Sequence, residues 1–389
     1  MSKRILGFFS SLKLTVVLLG AGVILVFVGT LGQVDKGLYD AQNLYFRSFV
    51  LWWQIPGMGI RVPVFPAGYT IGSLLLANLV CAHFTRFKWS SKKSGIWLTH
   101  VGVILLLLGQ LLTDLLQVES GMRLTEGETK NYSVSSRATE LAFVDTSDKD
   151  YDNMVVVPDP LLSKGGEIKH DKLPFTIVVK KWYQNSSLRM RGPMVDKEEP
   201  PATQGMGPRL HITENAATTK MDERDLPSVI IELRTATNSL GTWLASLSLD
   251  EPQTVEVGGK TWQLALRPTR YYKPFYIHLE QFRHDLYKGT EKAKNFSSRI
   301  RVIRPETGED REVLIRMNSP LRYNGETYYQ ASFDPRDSRV TVLQVVRNPS
   351  WLTPYLACIL VGLGLLVQFM IHLFGFVKSR RGGSRPAAA

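Results

Sequence analysis

Apolar positions along this chain gather into four long runs, three near its start and one near its end. Residues 14–32, 63–84, 95–118 and 351–377 contain a single charged side chain, Asp114, with histidine counted neutral. A hydrocarbon layer about 30 Å thick is crossed by about 20 helical residues. Each run therefore predicts a spanning helix. Gly95, Gly102 and Gly109 recur every seven residues in the third run, a spacing that lets a neighbouring helix approach closely. Pro63 and Pro66 open the second run, where proline is tolerated at a helix start.

Between the third and fourth runs the pattern changes. Short segments rich in Val, Ile, Thr and Tyr alternate with Gly, Pro and Asn, at residues 175–179, 229–234, 242–249, 262–266, 299–304, 313–317, 327–333 and 340–346. Val257-Gly258-Gly259-Lys260 and Asn324-Gly325 are hairpin-turn signals, because tight hairpin turns need positive φ at their centre. The predicted fold class is an α-helical membrane bundle of four spanning helices plus a large, mostly-β extracytoplasmic domain, an antiparallel sandwich or open barrel. Residues 184–227 are polar, with scattered Pro, Gly and Met, and predict a mobile insertion. Residues 33–62 hold the aromatic stretch AQNLYFRSFVLWWQIPG. Too short to span, it predicts a helix lying at the outer face of the bilayer, where Trp and Tyr settle; a loop packed on the β domain is the alternative.

The chain so divides into a cytoplasmic N-terminus with the first spanning helix (1–32) and an external link with an interfacial aromatic helix (33–62). A second spanning helix with a basic cytoplasmic loop (63–94) and a third spanning helix (95–118) follow. The β-rich domain (119–350), a fourth spanning helix (351–377) and a basic cytoplasmic tail (378–389) complete it.

A net charge of +12 raises nucleic acid as a partner, and the positions of the charges remove it. Lys3, Arg4 and Lys13 flank the first run. Arg86, Lys88, Lys92 and Lys93 separate the second from the third, and Lys378, Arg380, Arg381 and Arg385 follow the fourth. No carboxylate accompanies them, whereas residues 119–350 hold 33 basic and 32 acidic residues. Basic flanks stay on the cytoplasmic side, which predicts both termini inside and the β domain outside. Cys81 and Cys358 both lie in spanning runs. The β domain thus has no disulfide, Cys-x-x-Cys redox pair or covalent haem-attachment site. No Ala-x-Ala-like cleavage site follows the first run, which predicts a retained anchor.

An ionisable residue inside a spanning helix is costly and is a functional candidate by default. His100 stands five residues after Gly95, about 7–8 Å along a helix. Neutral imidazole suits a metal or haem iron; an interhelix hydrogen bond is equally open. His83 and His372 fall at a similar predicted depth on the second and fourth runs, where the plainer reading is an interface residue touching water. Asp114 reads as an exit residue contacting headgroups or water, or else as the partner of a cation in the bundle. His170, His211, His278 and His284 complete no zinc pattern. Met190, Met194 and Met206 sit in loop-like sequence, where methionine seldom binds metal or haem. With no nucleophile elbow, phosphate loop or paired-carboxylate signature, no catalytic residue is assigned.

Several segments resemble the ResB (CcsB) family, the smaller membrane subunit of system II cytochrome c biogenesis. They are SLKLTVVLL in the first run, WLTHVGVILLLLGQLL in the third, then Gly121 and Glu126–Glu128. The last third follows with YKPFYIHLEQFRHDLYKGT, NFSSRIRVI and MNSPLRYNGETYYQASFD. The resemblance covers nearly the whole chain and is weakest over residues 145–225.

The resemblance implies a multi-pass protein of the bacterial inner membrane with a periplasmic β domain. Its partners would be a ResC/CcsA-type membrane protein, apocytochrome c and the lipid bilayer, with no nucleic acid. The complex moves haem b outward as a transported substrate and joins its vinyl groups to the thiols of Cys-x-x-Cys-His motifs. His100 matches the family's intramembrane histidine, taken as a haem ligand. The partner family's Trp-Trp-Asp motif is absent, since Trp52-Trp53 is followed by Gln54. The ligation chemistry of this cytochrome c synthase (haem lyase) complex is therefore expected on the partner. Two other readings stay open: a non-catalytic scaffold that stabilises the partner and recruits apocytochrome, and a membrane-tethered sensor or transport accessory without haem.

Overall fold

An uncharged apolar run in hydrocarbon must satisfy its own backbone polar groups, and a helix does so within one segment. The computed structural model, which describes residues 2–86, 90–148, 151–192, 199–218, 223–289 and 293–382, has four helices long and apolar enough to cross a membrane. They are Leu12–Ala41, Gly68–Arg86, Ser94–Leu116 and Thr353–Gly382. The chain is a membrane protein, and Lys88, Met194 and Arg385 lie outside the described residues. The helices form one compact unit, and Glu119–Thr218 with Asp222–Val346 forms a second.

Within the helical unit, the glycine stripe of the third spanning helix meets the fourth. A Cβ added to Gly102 would stand 2.7 Å from Val361 Cγ2, and one on Gly109 would stand 2.6 Å from Thr353 Cγ2. Gly364 on the fourth helix is equally closed, by Thr99 and the Gly95 carbonyl. Small residues on both sides let the two backbones touch. Near the start of the first spanning helix, buried Asn78 reaches across from the second. Its amide donates to the Ser11 carbonyl at 3.1 Å and to that of Phe9, and its oxygen accepts from Thr15 Oγ1 at 2.6 Å.

The link after the first span departs from expectation. The helix continues past residue 32 to Ala41, broken at Gly37 (φ 76°), and runs into a π turn at Gln42–Phe46. That turn folds back, so Tyr45 and Phe46 pack where Gly32 and Gly29 leave no room for a Cβ. The expected interfacial aromatic helix is instead a hairpin, Val50–Gln54 paired antiparallel with Arg61–Pro66. Val50, Trp52, Trp53, Val62 and Val64 favour extended backbone. Pro63 would cost a helix interior a hydrogen bond. The second span starts at Gly68, after both prolines.

The β unit holds two hydrophobic cores strung on two shared strands, Thr129–Asp145 and Lys260–Leu286. The C-terminal half of the first and the N-terminal half of the second pair in register (Phe143↔Leu264) and carry Asn153–Pro158 and Gln253–Val257. Their side chains Leu141, Phe143, Trp262 and Leu264 pack against Ile177, Val229, Ile231 and Leu233 of a separate four-stranded sheet, giving a sandwich. The other halves belong to an eight-strand run of the same ten-stranded sheet, which nearly closes into a barrel. Its order is Glu309–Arg316, Ala293–Arg304, Lys260–Leu286, Thr129–Asp145, Val118–Thr125, Asp337–Arg347, Glu326–Asp334, Leu321–Tyr323. An Arg316↔Ser319 bridge brings its two ends together. Phe275, Ile277, Ile300, Val302, Tyr328 and Leu343 fill this second core.

Each of the eight segments predicted as strands overlaps a strand. Both predicted turns are tight hairpins, with Gly258 at φ 62°, Gly259 at 76°, Asn324 at 50° and Gly325 at 76°. Sandwich and barrel, offered as alternatives, are both present. The predicted mobile insertion is corrected. Ser186–Met190 pairs with Leu210–Glu214, and Tyr183, Ala202, Leu210, Ile230 and Leu244 form a small core beneath.

Candidate haem-ligand site

His100 lies on the third spanning helix, one residue past Thr99, which faces the fourth helix through Gly364. That offset of about 100° turns its imidazole away from the glycine seam. Its Nδ1 lies 2.8 Å from the Ile96 carbonyl oxygen, one turn back. A carbonyl only accepts, so Nδ1 carries a proton, and in the neutral ring Nε2 then presents the lone pair. This is the tautomer an axial iron ligand needs, with the second ring nitrogen held by a hydrogen bond.

Across from it, on the second spanning helix, stands His83. The two rings are 5.6 Å apart between centroids with their planes at 60°, and Trp97 lies 6.4 Å from His83. Two imidazoles and an indole thus converge between two helices. His372 is separate in character: it sits on the fourth helix with Nε2 2.9 Å from the amide nitrogen of Gln368, so that nitrogen already accepts. Gln368 in turn packs on Gly95. His372 bonds within its own helix, while His83 and His100 face one another.

Asp114 resolves its two sequence readings in favour of the cation. It accepts from Arg47 Nε at 2.8 Å and from the Tyr69 hydroxyl, and only 12% of its side chain is exposed. Sequence reasoning missed Arg47 as its partner, because Arg47 reaches it only through the fold-back at Gly37.

The β-unit histidines have structural partners. His278 Nδ1 hydrogen-bonds the Thr129 hydroxyl at 2.8 Å, and His170 Nδ1 accepts from the Lys172 backbone at 3.2 Å. His284 stacks on Phe296 at 4.4 Å and leans on Phe333. His211 lies in the Leu210–Glu214 strand. No group of three metal-ligating side chains occurs among the described residues. The second core instead encloses a charged triad that sequence did not single out. Lys273 Nζ lies 2.5 Å from Glu326, whose other oxygen accepts from the buried Tyr328 hydroxyl at 2.7 Å. Burial, and then the Glu326 charge, push the Tyr328 pKa up and hold the phenol protonated.

Residues 229–340 match the model of the ResB-like family. Over 369 residues, 93% of this chain, the sequence is 23% identical to Protein NrfI of Wolinella succinogenes, and the chain spans 34% of that protein's length. The family match falls wholly in the β unit, on strands that build both cores, and the relative runs along nearly the whole chain: this membrane protein is similar to the ResB-like family over residues 229–340.

Proposed function

We propose that this chain serves cytochrome c maturation as a haem-handling membrane subunit, beside a ResC/CcsA-type partner that carries the ligation chemistry. The observation that carries the reading is His100, an imidazole within a spanning helix with Nδ1 tied to its own backbone, which leaves Nε2 for iron. Haem b is the cargo. Its apolar ring suits a space between helices, and its propionates suit basic residues at a membrane surface, such as Lys92 and Lys93. His83 stands close enough to share the iron or to take it in turn. The charge bias supports a cytoplasmic side for those lysines and a periplasmic side for the β unit, so in this reading haem enters near His100 and leaves at the opposite face.

The test is the haem spectrum of the chain purified with its partner. His100→Ala should abolish most of the Soret absorbance and lower c-type cytochrome yield, and His83→Ala should lower both by less. Full absorbance and full yield in His100→Ala would overturn the ligand role. A reporter fused at Gly258 should be active only outside the cytoplasm.

A second reading, a scaffold that stabilises the partner and recruits apocytochrome, is favoured by the confinement of the family match to residues 229–340. It differs in expecting haem content to survive His100→Ala while apocytochrome capture depends on the β unit.

A further inference from the structure

The helical unit contains a cleft that haem handling does not use. It lies at the end of the first spanning helix away from Asn78, where the Gly37 break turns the chain back and the Val50–Gln54 strand begins. Its volume is about 960 Å³, and its lining includes Asp35, Lys36, Asp40, Leu44, Phe49 and Trp52. One wall is apolar and aromatic. The rim carries charges of both signs, and among the described residues Asp35, Lys36 and Asp40 make no ion pair or side-chain hydrogen bond. Charges left open by the protein beside an apolar wall fit a ligand that is itself zwitterionic at one end and apolar at the other.

The depth of the cleft follows from the sequence. Asp35 and Lys36 are the first charges after the uncharged run 14–32, so they stand where hydrocarbon gives way to headgroups. An independent feature marks the same level. The hairpin that leaves the cleft is bound covalently between two spanning helices, so it stays at the membrane surface. It exposes Trp52 (57%), Trp53 (55%), Met58 (68%), Ile60 (54%) and Val64 (61%). From residue 41 to residue 113 the chain has no carboxylate, and Arg61 is the exposed charge of the hairpin. Aromatic and aliphatic side chains with an isolated arginine are suited to the interfacial layer of phospholipid.

We propose that residues 35–66 form a phospholipid site for a phosphoethanolamine-type headgroup. The lipid's primary ammonium would meet Asp35 and Asp40, its phosphate Lys36, and its acyl chains the Leu44, Phe49 and Trp52 wall, with the hairpin lying in the same leaflet. A primary ammonium donates three hydrogen bonds, whereas a choline headgroup donates none and a glycerol headgroup lacks the cation. The site therefore discriminates by headgroup.

The experiment counts lipids retained by the purified full-length chain in native mass spectrometry. Phosphatidylethanolamine, phosphatidylcholine and phosphatidylglycerol with identical acyl chains are supplied in turn. Phosphatidylethanolamine should be retained about ten-fold more strongly, the weight of one charge-assisted hydrogen bond. Asp35→Asn with Asp40→Asn should bring it down to the choline lipid, and Asp35→Glu with Asp40→Glu should keep the preference. Phe49→Ser with Trp52→Ser should weaken all three lipids alike. Equal retention of the three lipids by the wild type would overturn the proposal, as would an unchanged preference in the double asparagine variant. So would full displacement by soluble glycerophosphoethanolamine, which lacks the chains. None of these outcomes depends on His100, so the haem reading stands or falls separately.

Discussion

The helical and β units treat their polar side chains in opposite ways. In the β unit charges are paired within the protein: Lys273 with Glu326, Arg267 with Glu140, Lys260 with Asp145, Arg123 with Asp334. In the helical unit Arg47–Asp114 is the one ion pair among the described residues. Asn78 there is bonded to Thr15 and to the Phe9 and Ser11 carbonyls, whereas Asp35, Lys36 and Asp40 line a cleft and make no ion pair among the described residues. A unit whose polar groups satisfy one another needs nothing from outside to be stable, and is suited to a scaffold. A unit that leaves three charges unpaired beside hydrocarbon bears a cost that a ligand can offset. The family match sits in the first kind of unit and the candidate chemistry in the second.

If that contrast is right, the β unit should be the more sensitive to loss of a single polar partner. Lys273 and Glu326 have side chains only 5% and 12% exposed. Lys273→Met strands a carboxylate in the barrel core and should cost about 3–5 kcal/mol. Replacing the triad together, Lys273→Met with Glu326→Leu and Tyr328→Phe, should recover most of that loss, because no charge is then left buried. Chemical denaturation of the β strands, followed by hydrogen exchange over residues 260–286 and 326–334, measures both. A triple variant no more stable than the single one would show that the cost lies in packing.

In the helical unit the sensitive positions should be steric. Gly102→Leu puts a branched side chain where Val361 Cγ2 already stands 2.7 Å from an ideal Cβ. The third and fourth helices must separate, at about 1–3 kcal/mol or more. A lower thermal midpoint in detergent would follow. Asn78→Val removes the polar link to Thr15, Phe9 and Ser11 and should cost about 0.6–1.7 kcal/mol, the range of hydrogen bonds between spanning helices. A larger loss for Asn78→Val than for Lys273→Met would erase the contrast between the units.

What could be read from the sequence follows the same physics. The four spans were legible because 19 or more residues without charge leave few other outcomes. The glycine seam was legible because its seven-residue period survives in a straight helix. Strand 260–286 was not legible at its full length, since Pro268 and Pro274 read as strand breaks. Both prolines sit where the register slips, between Pro268 and Arg270 and between Tyr272 and Ile277. There the strand passes from sandwich to barrel without ending. In the candidate site, His100 could be named because an ionisable residue stands out in an apolar run. Its juxtaposition with His83 depends on how two helices are rotated about their axes, and the loop between them carries no signal for that. The aromatic link was misread because Trp and Phe are as common at interfaces in strands as in helices; Pro63, between two valines, was the informative residue.

The smallest expected effect is also a test of pairing in the sandwich half. Lys260 Nζ, 2.6 Å away, and then Ser147 hold the Asp145 carboxyl down at about 2. Arg234, Lys180 and Ser239 hold Glu232 down at about 2. Both groups titrate near 4 in an unfolded chain. Their contribution to stability is therefore complete above about pH 5 and is lost as pH falls from about 4 to about 2. Lys260, Lys180 and Arg234 have side chains 55%, 42% and 45% exposed, so water and salt screen the effect and the loss should be shallow. Hydrogen exchange over residues 228–234 and 260–266 should quicken across that window, less so in high salt. Lys260→Met should flatten the dependence at residues 260–266 and leave that at 228–234 in place, because Glu232 keeps its own two cations. The third spanning helix holds no such pair in its interior, and exchange there should stay level over the same pH range. Equal acid sensitivity in both units would mean that the helices carry charge pairing of their own, and the open rim at Asp35, Lys36 and Asp40 would be the first place to look for it.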